Sequence, residues 1–186
     1  METNLFALLE KMCGSRTAAS ESLDGLALEL GVQGTRQTSS LAALALIRLG
    51  RDAESVASLL QWNEFEELCS KLLCAAGYEV RRNIVLKKPR KQIDLVATSS
   101  LISLSVDCKH YSRGISQSSL ARFAREQLER TKQYKEKRNH SGPLLPVILT
   151  LTEGETKFVE GVPVVPLLKL RSFLQSVNPY DALAVV

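Results

Sequence analysis

QIDLVATSSLISLSVDCKHY, residues 92–111, reads as two β-strands joined by a short Ser-rich turn. Gln92 to Ala97 is short and apolar, Thr98-Ser99-Ser100 is the turn, and Leu101 to Lys109 alternates. Residues two apart on a strand share a face. Leu104, Val106 and Cys108 therefore share one side, and Ser103, Ser105, Asp107 and Lys109 the other. Asp94 projects opposite to Ile93 and Leu95. If the two strands pair in register, Asp94 sits beside Asp107 and Lys109 on the polar face. Two adjacent carboxylates repel, and a hard cation such as Mg²⁺ or Mn²⁺ resolves that repulsion. The plain alternative is a surface hairpin with an Asp/Lys cross-strand pair.

An Asp, a gap of a dozen residues and then Asp-x-Lys on the next strand is similar to the PD-(D/E)XK nuclease superfamily. The chain most resembles its Mrr-type restriction endonucleases and archaeal Holliday-junction resolvases. The matching pieces are EFEELCSKLLCAAGYEV (64–80), QIDLVA (92–97), VDCKHY (106–111) and GVPVVPLLKLRSFL (161–174). The chain departs from that pattern in three places. Ile93 stands for the usual proline, Gln92 for a frequent glycine, and Asp107 for the Glu or Gln of Mrr-like members. The resemblance implies a restriction-endonuclease-like α/β fold with three layers and a mixed central sheet. It also implies Mg²⁺- or Mn²⁺-dependent hydrolysis of DNA. In that reading Asp94, Asp107 and the Cys108 carbonyl hold the metal, helped by Glu66, and Lys109 positions the water.

Glu66 belongs to the best-defined helix, Trp62 to Ala76, whose stripe is Phe65, Leu68, Cys69, Leu72, Leu73 and Ala76. At about 100° per residue, Glu66 flanks that stripe near Cys69 and Leu73. Two roles stand for it. The resemblance makes it the helix glutamate that completes the metal site, whereas Asn63-x-x-Glu66 reads as a capping box.

Cations flank the hairpin. Lys87, Lys88, Arg90 and Lys91 lie in the turn before Asp94, where a phosphate backbone would need neutralising. His110 and Arg113 follow it. Arg122 and Arg125 lie on the outer side of a long helix, Ser116 to Arg138, with Ser118 or Ser119 as its N-cap. Leu120, Phe123, Ala124 and Leu128 of that helix face the core, and the resemblance places Gln127 near the site. The QxxxY arrangement of RecB-like exonucleases is absent, because Arg130 stands at that spacing before Tyr134.

The remaining chain supports an α/β plan. Tyr78 to Leu86, Val147 to Leu151 and Val162 to Val165 read as strands, and Leu167 to Val177 as a closing helix. Residues 1–60 read as four short helices (4–12, 22–30, 39–49 and 52–61, the last open to running on into the next). They form a helical cap or dimerisation region, or a DNA-binding module, before a nuclease domain at 61–178 and an apolar tail at 179–186. The net charge of +4 is compatible with nucleic acid without arguing it alone. Four cysteines without a CxxC pair speak against structural zinc and for a reducing cytoplasm. No span of 18 apolar residues or signal peptide is evident, so a soluble chain without a membrane is expected. Cutting two strands symmetrically needs two sites, hence a homodimer. An RNA-directed nuclease, or a non-catalytic nucleic-acid-binding or assembly module that keeps the fold, are the alternatives.

Overall fold

The computed structural model describes residues 53–58, 60–111, 115–151 and 157–178. Readings of the first three N-terminal helices, Arg113 and the 179–186 tail lie outside them. The chain divides into two compact units, residues 1–68 and 69–186.

In the first unit, α1 (Ala53–Ser58) is short. It does not run on into the next helix, because the Leu60 N–H turns back to the Ala57 carbonyl (3.2 Å). Helix α2 (Trp62–Ala75) starts two residues later and passes into the second unit. Phe65, Leu68, Cys69 and Leu73 are buried along its stripe, as the periodicity predicts. The helix start is held differently from the expected capping box. The Gln61 N–H donates to Glu64 Oε2 (2.8 Å), so Glu64, not Glu66, closes the first turn.

The second unit holds a six-stranded mixed sheet in the order β1-β2-β3-β4-β6-β5. Its strands are β1 (Glu79–Leu86), β2 (Lys91–Thr98), β3 (Ser103–Lys109), β4 (Leu144–Thr150), β5 (Lys157–Val159) and β6 (Val162–Pro166). Strands β1, β2 and β3 form an antiparallel meander, while β3–β4 and β4–β6 are parallel. A parallel neighbour requires a crossover, and α3 (Gln117–Arg138) supplies it between β3 and β4. A 3₁₀ turn (Leu167–Lys169) and α4 (Leu170–Ser176) follow β6. This is the α/β mixed-sheet plan that the sequence predicts, consistent with a restriction-endonuclease-like fold. The short strand β5 is an addition, pairing back antiparallel onto β6.

Local chemistry sets the boundaries. The N-cap of α3 is Ser116, not Ser118 or Ser119; its hydroxyl accepts the Ser119 N–H (3.3 Å). Ser99 Oγ accepts the N–H groups of Leu101 and Ile102, which delays β3 until Ser103. Strand β4 is buried throughout, as a central parallel strand should be. It tolerates Pro146 because pairing with β6 begins only at Ile148. Leu86, Ile93, Val96 and Leu144 pack with Tyr134 of α3 into a core cluster.

Candidate active site

The hairpin places its acids where the sheet ladder stops. Pairing of β2 with β3 runs from Ala97↔Leu104 to Leu95↔Val106 and ends. One more step in that register sets Asp94 opposite Asp107, and the next sets Ile93 opposite Cys108. The Cys108 N–H instead donates to Oδ2 of Asp94 (2.8 Å), so a side chain takes the place of a backbone carbonyl. On the other flank, pairing of β1 with β2 skips Asn83 and Asp94. Asn83 has a left-handed backbone there (φ 53°), a conformation that Asn adopts more readily than most residues. Asp94 thus occupies a local break in both ladders. In an antiparallel strand a residue's N–H and C=O point to the same side, so the Cys108 carbonyl faces the Asp94 side too.

Asp107 is buried, and two cations hold it. Lys109 Nζ lies 2.8 Å from Oδ2, and Arg130 Nη2 of α3 lies 3.0 Å from Oδ1. Side-chain exposure is 4% for Asp107, 19% for Lys109 and 16% for Arg130. Asp107 Oδ2 and Arg130 Nη2 make no aligned hydrogen bond, so these contacts are charge pairs rather than directed bonds. Lys109 is held from a second side as well, with Nζ 4.5 Å from the centre of the Phe123 ring. Arg122 approaches that ring at 5.1 Å, and Tyr111 stacks on it.

Helix α3 covers the polar face of β3. Besides Arg130, Gln127 reaches down, with Nε2 donating to the Ser105 carbonyl (2.6 Å). Its buried residues are Leu120, Phe123, Ala124, Gln127, Thr131 and Tyr134. Leu128, expected in the core, is only half-buried.

The electrostatics show what remains unbalanced. Burial pushes the Asp94 carboxyl above its ordinary value, and Asp107 pushes it further. The Cys108 N–H, Lys109 and Arg130 oppose that shift without cancelling it. Asp94 is therefore the carboxylate of the pair whose charge is harder to hold, chiefly because it is buried.

The structure brings Asp94, Asp107 and Lys109 together, as the strand pattern predicts, sets the Cys108 backbone against Asp94, and adds Arg130, which the pattern did not single out. Glu66 is buried within α2, in the first unit. Among the described residues, no three His, Cys, Asp or Glu side chains gather as a metal-ligating group. His110 follows β3 half-buried. Arg122 and Arg125 are exposed, and Arg125 pairs with Glu160 (3.2 Å). The loop of Lys87, Lys88 and Arg90 is exposed but pinned by its backbone to the end of α3. Lys137 Nζ donates to the Lys87 and Lys88 carbonyls, and Gln133 Nε2 to that of Pro89. Lys91 is drawn to Glu129 (2.7 Å), which holds the Glu129 carboxyl below its ordinary value. Lys91 lies three residues before Asp94 on the same strand, about 10 Å away.

Residues 57–137 match the restriction endonuclease family model Mrr_cat. The match runs from the end of α1 almost to the end of α3 and so contains Glu66, Asp94, Asp107, Lys109 and Arg130. It agrees with the Mrr-type resemblance carried by the motifs, and supports a nuclease-type function in general. No curated protein matches the chain. Among solved structures, the chain is similar to one titled as the crystal structure of protein of unknown function AF1548. That likeness has 14% identity and a TM-score of 0.38, and it covers 63% of this chain and 56% of that one. The chain thus spans little more than half the length of that structure. Among the described residues, no helix is long and apolar enough to cross a membrane.

Proposed function

We propose that the chain is a metal-dependent DNA endonuclease of restriction or junction/repair type. The observation that carries this reading is the Asp94–Asp107 pair at the ladder break. Burial and the neighbouring Asp107 keep the Asp94 carboxylate costly to ionise despite Lys109 and Arg130, and a bound cation would relieve that cost. Paired acids beside a lysine would serve little purpose in a fold that needed only stability. The donor set is all oxygen (Asp94, Asp107 and the Cys108 carbonyl), which fits Mg²⁺ or Mn²⁺ in kind. Such an ion supplies Lewis acidity and lowers the pKa of a bound water. Lys109, fixed between Asp107 and Phe123, holds a positive charge where the phosphate becomes more negative. Lys87, Lys88, Arg90, Lys91, His110, Arg113, Arg122 and Arg125 contact the backbone of the substrate. A homodimer and a cytoplasmic setting complete this reading.

A second reading has its own support. Asp107 already has a cation on each oxygen, an arrangement that a non-catalytic nucleic-acid-binding module could keep without any metal. The experiment that separates the two is Mg²⁺- and Mn²⁺-dependent cleavage of labelled linear, single-stranded, flapped and four-way DNA, with an RNA substrate alongside. Asp107→Ala and Lys109→Ala are run beside the wild type. Cleavage of a DNA substrate that both substitutions abolish is expected. Binding without cleavage would put the module reading first, and cleavage of RNA alone would reassign the substrate.

A further inference from the structure

We propose that Arg130 occupies the metal's place on Asp107 and releases that carboxylate only when a substrate phosphate is present to receive it. Metal and nucleic acid then bind as a coupled pair. This inference rests on the metal-dependent reading above.

The first support is charge. Two carboxylates and two cations, Asp94, Asp107, Lys109 and Arg130, sum to zero in a largely buried place. A divalent ion added to that set leaves two uncompensated positive charges, which a low-dielectric site resists. One cation must leave Asp107, or an anion must enter.

The second support identifies which cation leaves. Lys109 is held on two sides, by Asp107 Oδ2 and by the Phe123 ring. Arg130 meets Asp107 through a single nitrogen, Nη2, at 3.0 Å. Its Nε and Nη2 are both buried without an aligned hydrogen bond. These two nitrogens form one edge of the guanidinium, the fork that grips a phosphate or carboxylate with two parallel bonds. Arg130 thus sits beside the acids with Nη2 in a charge contact to Asp107 and no directed hydrogen bond on that edge. A phosphodiester drawn in with the metal would replace Asp107 at Nη2, bond both nitrogens of the edge and take over its charge.

The sequence placed Arg130 where RecB-like exonucleases carry the glutamine of QxxxY. In this chain the position carries a cation, and the electrostatics of metal entry change with it.

The test measures metal binding rather than turnover. Mn²⁺ affinity is read from the free-ion electron paramagnetic resonance signal, with and without a phosphorothioate DNA duplex that resists cleavage. In the wild type, Mn²⁺ binds weakly alone and the duplex tightens it by about ten- to a hundredfold, the usual range of coupling between linked sites. Arg130→Gln binds Mn²⁺ about as tightly alone as the wild type does with DNA, and the duplex adds little. Arg130→Lys keeps the charge and stays weak without DNA. Equal or weaker Mn²⁺ binding by Arg130→Gln overturns the proposal. Should that variant fail to fold, the Arg130 Nε–H resonance of the wild type decides. It moves on adding Mg²⁺ with the duplex and stays in place with Mg²⁺ alone, and movement with Mg²⁺ alone overturns the coupling. DNA cleavage with unchanged metal affinity in Arg130→Gln sinks only the exchange. The coupled binding pattern without cleavage of any substrate sinks only the nuclease reading.

Discussion

Asp107→Ala removes the carboxylate that pairs directly with both Lys109 and Arg130. Each of those cations is more than four-fifths buried at its side chain. Breaking a buried pair by deleting one partner costs about 3–5 kcal/mol, because the remaining charge is stranded. At roughly 2–4 °C per kcal/mol for a chain of this size, the melting temperature should fall by about 6–20 °C. The assay is urea or thermal unfolding with EDTA present, at low and at high salt. The loss should persist at high salt, since buried pairs are screened little. Asp107→Asn separates charge from shape and should also destabilise. Adding Arg130→Met to Asp107→Asn should restore part of the loss, because the second change removes a stranded cation. A loss below about 1 kcal/mol for Asp107→Ala, or a double variant less stable than Asp107→Asn, would refute the buried network. The result also governs the cleavage experiment, in which Asp107→Ala must be compared at a temperature where it is folded.

Three further outcomes follow from single contacts. Asp94→Asn should match the wild type in stability at acid pH and exceed it at neutral pH, measured by unfolding across a pH series. As pH rises past the ordinary value of 3.8, the unfolded state ionises first while folded Asp94 keeps its proton, so the wild type loses stability until the raised folded pKa is passed; a wild type that gains on Asp94→Asn over that range would contradict the assignment. Ser116→Ala should cost about 1 kcal/mol in unfolding free energy through loss of the α3 cap, whereas Ser118→Ala should be near neutral. Replacing Lys87, Lys88 and Arg90 together by Ala should leave stability unchanged and reduce the salt dependence of DNA binding, by up to about one unit of log–log slope for each lost phosphate contact.

Much of the site was legible because strand geometry has a period of two. Asp107 and Lys109 had to share a face, and one assumption of register brought Asp94 beside them. The crossover helix was legible from its length and from Leu120, Phe123 and Ala124. Arg130 was harder to read. Its contact with Asp107 depends on which face of α3 meets the sheet, and that face carries Gln127 and Thr131 as well as apolar residues. A signal was available, since Arg130 lies seven residues after Phe123 and four before Tyr134, two turns and one turn along the same side. A stripe defined by apolar residues alone selects Leu128 and passes over the polar members. The Glu64 cap was missed for a similar reason. Spacing allowed two capping glutamates, and only the start of the helix at Trp62 chooses between them. Strand β5 is three residues long, too short for alternation to declare itself.

The two strands at the margins of the sheet bear on how copies of the chain can meet. Strand β1 carries Arg81 and Arg82 and is interrupted by the left-handed Asn83, and β5 is three residues long. Neither offers the long, flat, uncharged rim that a second sheet would need to continue the hydrogen-bonded ladder. If two copies associate, these edges favour a contact made by side chains of helices or loops over one that continues the sheet. Surface substitutions on such a contact would then leave undisturbed the strands that hold Asp94 and Asp107.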